Sequence, residues 1–496
     1  MLRRLNFISL LVLFLLVAAL YVRVFRVDQI LGFYFDQGRD ANVIWDLTHK
    51  GNFFLIGPTT GIAGIFRGPW YYWLITPFYL LGSGNPVWPA VFLSVTTVIA
   101  IYILYKFGKE IEGVETGILA IILGSFSFNF MYAARWLSNP TPMFLISMLT
   151  VYCLYMTTKG KQVYWVLTAF LWAMAMQFGS AAEIFYFPAI LIFALFNRKN
   201  FPTIKTLIFS ALAFLIVFLP QIIFDYRNDH LLSNNIKKFI FDEGSFALSF
   251  WEVVKIRLAF YWDLFINKFF LMNKKLGNIF LIAGAFSFIV NFKRLWKNSL
   301  FQILILFTFI PFVGMIFFQG NEGNVYDYYF TGYYFIYVLL FACLLIALFK
   351  NTTVRSIFVA IFVFMFLSQN IPNVMGYINT DTNAKDSINL DSQNKAIEWV
   401  YKDASDSNFN VDVYVPPVIP HAYDYLLKWY PTTERFKNFE GHQVSGNVLL
   451  LYTIYESDPP HPERLSAWLE RQAGIGKIEK EAKFGGITVQ RRKRIK

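Results

Sequence analysis

The chain has 496 residues, of which 56% are apolar and 20% aromatic, while only 15% are charged. Soluble globular chains carry about 25% charged residues, and the many apolar runs of about 17–20 residues point to a polytopic membrane protein. The formal net charge of +12 is therefore tested against membrane topology before any reading as nucleic-acid binding. Cys153 and Cys343 each sit inside an apolar run without metal-site spacing, so no disulfide framework is expected.

Leu5 to Val22, after Met-Leu-Arg-Arg, is longer than a signal-peptide core, and no A-x-A-like site follows, so it reads as an uncleaved first span. The chain's most informative stretch comes next, from Phe33 to Trp73: FYFDQGRDANVIWDLTHKGNFFLIGPTTGIAGIFRGPWYYW. Asp36 and Asp40 are four apart and share a helix face with Arg39 beside them. Arg67 precedes an aromatic run. Charges so near a hydrophobic anchor are costly unless they serve a polar cavity. The same residues also read as a helix with Asp36 as N-cap, His49 and Lys50 in the last turn and Gly51 after it. Such a cap contributes about 0.5–2 kcal/mol. The two readings do not exclude each other, since a cap position presents a carboxylate at the mouth of a site.

Further spans are expected near 87–105, 115–132, 140–158, 162–178, 183–197, 204–223, 278–292, 299–318, 329–349 and 355–372, about eleven in all. The aromatic run Trp70–Leu81 is too short to cross and reads as an interfacial or re-entrant helix. With the N-terminus inside, every short inside connection is basic: Arg3/Arg4, Lys106/Lys109, Lys159/Lys161, Arg198/Lys199/Lys205, Lys293/Arg294/Lys297 and Lys350/Arg355. That matches the positive-inside rule and sets the N-terminus in the cytoplasm and the C-terminus outside. The opposite ends of the spans gather Asp36, Asp40, Arg67, Arg135, Asn139, Gln177, Glu183, Asp225, Arg227, Asp327, Tyr328 and Tyr329. Each alone is an ordinary interfacial residue; their convergence on one face marks a site. Residues 224–277 form a long outer segment whose amphipathic part, Trp251 to Lys275, is an interfacial helix or a membrane hairpin.

From about Gly376 polar residues dominate. Short β-rich runs (411–415, 448–455, 486–489) alternate with helical patterns (392–402, 422–430, 462–473). The expected organisation is a membrane domain over 1–375 and a small extracytoplasmic α/β domain over 376–496. No P-loop, GxGxxG, HExxH or GxSxG motif stands in a confirming context, so ATP-driven and common hydrolase chemistry have no support.

YFDQGRDA, RGPWYYWLITPFYLLG and AARWLSNPTPMFLI, with weaker QFGSAAEIFYFPAILIF and VYDYYFTGYYF, make residues 1–370 resemble the GT-C superfamily of membrane glycosyltransferases. That superfamily includes protein O-mannosyltransferases (glycosyltransferase family 39-like) and aminoarabinose transferases. The resemblance implies a polytopic α-helical GT-C fold and a polyprenyl-phosphate-linked sugar as donor. It implies a protein, lipid or glycan acceptor outside the cytoplasm, membrane lipids and not nucleic acid as surroundings, and a carboxylate of the first outer loop, here Asp36, as catalytic base. The chain departs from the pattern at Arg67, where many relatives carry His.

Such a transfer needs a base for the acceptor hydroxyl and cations for the leaving phosphate; a phosphate leaves without a general acid, so one carboxylate suffices. Asp36 is accordingly the candidate base, and Asp40 orients the acceptor or helps to hold a divalent cation, the one cofactor left open. Arg67 and Arg135 clamp phosphate, Arg39 pairs with an acid of its own turn, and Asn139, Gln177, Glu183, Tyr328 and Tyr329 are candidate substrate-binding groups. A transporter or flippase of lipid-linked glycans, or a non-catalytic binder of them, is the alternative. A transporter would want charges along the spans and a repeat-like pair of broken helices, whereas here the charges sit at one face and no internal repeat is visible.

Overall fold

A computed structural model describes residues 7–62, 64–241, 249–318, 323–416, 419–437 and 440–495, so Arg3 and Arg4 lie outside the described residues. The membrane part is helical throughout. Helices α1 (Phe7–Val24) and α2 (Val27–Ile30) lead into α3 (Phe35–Lys50) and α4 (Trp70–Leu81). Then come α5 (Val87–Glu112), α6 (Val114–Phe126), α7 (Phe128–Arg135), α8 (Met143–Thr157), α9 (Val163–Phe178), α10 (Tyr186–Phe196) and α11 (Ile204–Arg227). The outer segment forms α12 (Leu231–Phe241) and α13 (Phe250–Phe270), and α14 (Lys274–Leu295), α15 (Ser299–Ile316), α16 (Tyr334–Ala347) and α17 (Thr352–Ile378) follow.

Every apolar segment expected to span is helical, but length divides them. Among the described residues, seven helices are long and apolar enough to cross a membrane, and α6 with α7, bent by 60°, makes up to eight. The expectation of about eleven includes α8, α9 and the apolar stretch Ala181–Phe196, which have 15, 16 and 16 residues. At 1.5 Å per residue each covers only about 22–24 Å, short of a hydrocarbon core of about 30 Å.

The break between α6 and α7 is held by arginine. Ending a helix at Phe126 frees carbonyls that no water can satisfy inside an apolar bundle. Arg23, fully buried, donates to Gly124 O at 2.8 Å and Ser125 O at 3.0 Å. Arg135, at the far end of α7, returns the contact by donating to Val22 O at 2.9 Å and Phe25 O at 3.0 Å, where α1 ends. Ser127 Oγ starts α7 by accepting from Phe130 N.

Helix α5 is one of the two longest helices among the described residues. Its 26 residues cover about 39 Å. At its last turn Glu112 pairs with Arg294, Glu115 just beyond pairs with Arg355, and Glu110 accepts from Tyr155 OH. Much of the basic set of connections therefore meets at that end. Just before its first turn, Ser83 O and Gly84 O accept from Trp429 Nε1 and Tyr425 OH of the C-terminal part.

That C-terminal part is a small sheet domain: α18 (Leu390–Ala404), β1 (Asn410–Tyr414), α19 (His421–Trp429), β2 (Leu450–Glu456), α20 (Pro462–Ile475), β3 (Gly476–Phe484) and β4 (Ile487–Arg494). The strand order is β1-β2-β4-β3. Strands β1 and β2 are parallel, from Asn410↔Leu451 to Tyr414↔Tyr455, and the other neighbours are antiparallel. Strand β3, KIEKEAK in its middle, lacks any apolar alternation and was not expected; its long hydrogen-bonded ladder to β4 makes it a strand, and its charges suit an edge.

The domain sits on α3. Gln393 Nε2 donates to Phe33 O at 2.9 Å, Leu390 N to Leu31 O at 3.0 Å and Asn42 Nδ2 to His421 O at 3.0 Å. Gly38 allows the closest approach: a Cβ there would stand 2.2 Å from Ala422 N. Because that neighbour is backbone, Gly38→Ala is expected to lower stability by about 1–3 kcal/mol. It should also raise amide exchange selectively in residues 421–429; unchanged exchange there would mean that the contact does not hold the domain.

Candidate functional site

Helix α3 begins at Phe35 with Tyr34 as N-cap, and Tyr34 N is held by Gln37 Oε1 at 3.1 Å. Asp36 is thus not the cap expected from its sequence position. It lies inside the first turn, where a carboxylate is still favoured by the helix dipole, and its side chain keeps 65% of its surface exposed. The other end is as expected, with Gly51 at φ 68° closing the helix after His49 and Lys50.

A cavity of about 850 Å³ opens beside this turn. It is lined by Asp36, Arg39 and Asp40 of α3, by Thr59, Thr60 and Arg67 of the loop before α4, and by Asn129 and Tyr132 of α7. Ser138 and Asn139 follow α7, Lys268 comes from α13, and Asp327, Tyr328 and Tyr329 complete the wall.

The acids do not act alone. Arg39 bridges them, with Nη1 at 2.8 Å from Asp36 Oδ1 and Nη2 at 2.8 Å from Asp40 Oδ1. Tyr72 OH donates to the same Asp40 oxygen at 3.0 Å. Burial pushes the Asp40 carboxyl up from 3.8 to about 6 against the pull of Arg39 and Tyr72. Among the described residues no group of three or more His, Cys, Asp or Glu could hold a metal ion; a divalent cation between Asp36 and Asp40 would have to displace the Arg39 guanidinium.

Arg67 enters from a hairpin-like loop in which Gly57 N donates to Arg67 O at 2.7 Å and Arg67 N to Pro58 O at 3.1 Å. Its guanidinium donates to Gly179 O through Nε and Nη2, at 3.2 and 2.7 Å, and to Thr59 O through Nη1 at 3.0 Å. Two of its five N–H groups remain for a ligand. Asn139, on the cavity wall, donates its amide to Phe178 O.

Three expected site residues do other work. Arg135 is not a cavity residue: its guanidinium caps α1 as described and stacks 5.4 Å from the Tyr377 ring, so the expected phosphate clamp is corrected. Gln177 and Glu183 are buried behind the wall. Gln177 Oε1 accepts from Gly68 N at 2.6 Å and its amide donates to Gln221 Oε1, which steadies the loop that carries Arg67. Glu183 Oε2 accepts from Ser180 N at 2.5 Å and Ser180 Oγ at 3.1 Å, next to the Gly179 carbonyl used by Arg67.

Lys268 was missed. In sequence it is one cation among several in an amphipathic stretch, and only the packing of α13 against α7 brings it into the cavity. Its side chain is 7% exposed, with Nζ 2.7 Å from Asp327 Oδ1 and 4.4 Å from the Tyr334 ring centre. Tyr326, Tyr328 and Tyr329 form an aromatic corner: Tyr326 and Tyr328 stack at 5.8 Å, and Tyr328 meets Tyr329 edge-on at 4.9 Å.

Comparison with known proteins agrees with this architecture. Residues 67–224 match the family model described as dolichyl-phosphate-mannose-protein mannosyltransferase; the match begins at Arg67 and so does not include Asp36. The chain is similar in structure to ArnT from Cupriavidus metallidurans bound to undecaprenyl phosphate, with TM-score 0.57 and 10% identity over 99% of this chain and 98% of that one. Against ArnT in the apo state the TM-score is 0.58, again at 10% identity, over 97% of both chains. The oligosaccharyltransferase of Archaeoglobus fulgidus in complex with Zn and sulfate gives TM-score 0.51 and 12% identity over 94% of this chain and 71% of that one. No curated protein matches the chain in sequence. The chain therefore shares the fold of ArnT and of this oligosaccharyltransferase. The fold expected from the resemblance is thereby borne out; the family-model match takes in RGPWYYWLITPFYLLG but not YFDQGRDA.

The raised Asp40 carboxyl has a testable sign. Folding holds its proton more tightly than the unfolded chain does, so stability falls as pH rises from about 4 to about 6. Infrared or carbon NMR titration of the Asp40 carboxyl is expected to find its midpoint near 6. Tyr72→Phe should move that midpoint up, because the hydroxyl favours the ionised form. A midpoint near 4 in both proteins would contradict the burial argument.

Proposed function

We propose that the protein is an integral membrane glycosyltransferase that moves a sugar from a polyprenyl-phosphate carrier to an acceptor on the extracytoplasmic side. The observation that carries this reading is the composition of one cavity. It holds an accessible carboxylate, Asp36, and two cations with N–H groups to spare, Arg67 and Lys268.

Asp36 takes the proton of the acceptor hydroxyl as its oxygen bonds to the anomeric carbon. The bond from that carbon to the phosphate oxygen breaks, and the polyprenyl phosphate leaves with the electron pair. Arg67 and Lys268 hold the charge that gathers on the phosphate, where poor access of water makes each contact count for more. Asp40 acts through Arg39: its carboxylate anchors the guanidinium that in turn orients Asp36. Tyr328 and Tyr329 offer a face for the sugar ring, and Asn139 an amide oxygen for a hydroxyl.

The sidedness belongs to the same reading. Much of the basic set of connections meets at one end of α5, and the cavity helix α3 and the sheet domain (376–496) gather at the other. The positive-inside rule then puts the N-terminus in the cytoplasm and the cavity outside. Outside the cytoplasm no nucleotide sugar is at hand, which is why the donor is a lipid-phosphate sugar.

Purified protein is assayed on a panel of short-chain polyprenyl-phosphate sugars beside Asp36→Asn. Transfer by the wild type that falls by about 10²–10⁴-fold in the variant is expected; equal turnover would remove Asp36 as base, and donor binding without turnover in either protein would favour the transport or binding alternative. Separately, Lys268→Ala is expected to weaken undecaprenyl phosphate binding by about tenfold or more. Arg135→Met should lower the melting temperature and leave that affinity unchanged. The reverse pattern would restore Arg135 as the clamp.

A further inference from the structure

The sheet domain has a cavity of its own, of about 370 Å³, in the range of small-ligand sites. It lies at the first half of the edge strand β1 and is lined by Asn410, Asp412, Gln443, Ser445, Gln472 and Arg494, with Val411, Leu451 and Ile475 between them. The far end of β1 leads through residues 415–420 into α19, which rests on α3. The two cavities share no lining residue.

Its floor is built and partly unused. Gln472, fully buried, donates its amide to Asp412 Oδ2, while its Oε1 has no partner although it is shut off from solvent. An unpaired buried acceptor costs about 1–3 kcal/mol, and a donor arriving in the cavity would remove that cost. Asp412 is 37% exposed and meets Arg471 only at 3.7 Å. Arg494 closes one wall, its Nε on Val448 O at 3.1 Å and Nη2 on Asn410 Oδ1 at 3.0 Å. At the rim the Gln443 amide and the Ser445 hydroxyl are exposed.

The charges choose the ligand class. The lining holds one carboxylate and one guanidinium, and Arg471 outside it meets that carboxylate, so a metal cation finds no net negative charge; a phosphate would meet the acceptors Asp412 and Gln472 Oε1 rather than donors on the floor. Two acceptors side by side, Asp412 and Gln472 Oε1, suit the adjacent hydroxyls of a sugar ring. The side-chain amide of Gln443 and the hydroxyl of Ser445 can answer ring and hydroxyl oxygens, and the apolar side chains between them meet the C–H face.

We propose that this cavity is a saccharide subsite that takes a neutral sugar unit. Its use for a distal sugar of a glycan acceptor, held while another sugar reaches Asp36, rests on the transferase reading above; saccharide binding itself does not.

Saturation-transfer NMR on the full-length protein tests it, with glucose, galactose, mannose, N-acetylglucosamine and the β-linked disaccharides cellobiose and chitobiose as probes. At least one saccharide is expected to bind, with affinity reduced about tenfold or more in Asp412→Asn, weakened in the rim variant Gln443→Ala and unchanged in Asp36→Asn. The Gln443→Ala protein keeps the buried floor intact, so a folding defect in Asp412→Asn does not decide the outcome. No saccharide binding, or binding lost in Asp36→Asn but kept in Asp412→Asn, overturns the proposal. Binding that behaves as expected in a protein without transfer activity would leave the subsite standing and remove only its link to the reaction.

Discussion

A helix that breaks inside an apolar bundle must find partners for the backbone groups it frees, and much of this protein follows from how that is done. The chain stops α6 at Phe126, turns by 60° and starts α7. Arg23 supplies the donors for the freed carbonyls, and Arg135 supplies them for the end of α1. Arg23 of α1 closes the end of α6, and Arg135 of α7 closes the end of α1. With the break held, α7 can turn Asn129 and Tyr132 toward the cavity and pack against α13, which brings in Lys268. A buried arginine here works as backbone chemistry rather than as ligand chemistry.

The same economy governs the cavity charges. Three of the cations on its wall already have protein partners: Arg39 has two acids, Arg67 two carbonyls, and Lys268 an acid and an aromatic ring. They differ in what is left over. Arg39 is flanked by carboxylates and acts as an organiser of α3, while Arg67 hydrogen-bonds to neutral carbonyls and makes no ion pair among the described residues. That is a physical reason for assigning the anion to Arg67 rather than to Arg39.

The sheet domain is joined to the membrane part through the helix that carries Asp36. Gly38, between Asp36 and Arg39 in sequence, gives α19 a place against the backbone, and Asn42 one turn further on ties it to His421. A displacement of the domain would therefore be felt at the acid-bearing turn. This coupling requires no moving part; it follows from α3 being packed on both sides.

Length, composition and the alternation of apolar runs with basic connections were enough to determine the membrane class, the helical segments and the α/β character of the C-terminal part, because burial in lipid and helix length act on local sequence. The YFDQGRDA and RGPWYYW stretches were likewise legible, since the charges sit where a bilayer makes them conspicuous. What local sequence could not decide was which charges face one another. Arg135 and Arg67 look alike as cations at span ends, yet one caps α1 and the other lines the cavity. Lys268 stands about 230 residues from Asp36 in sequence. Strand β3 exists only because β4 pairs with it. Those outcomes depend on contacts between distant segments, and hydrogen-bond partners across such distances are chosen by tertiary packing alone.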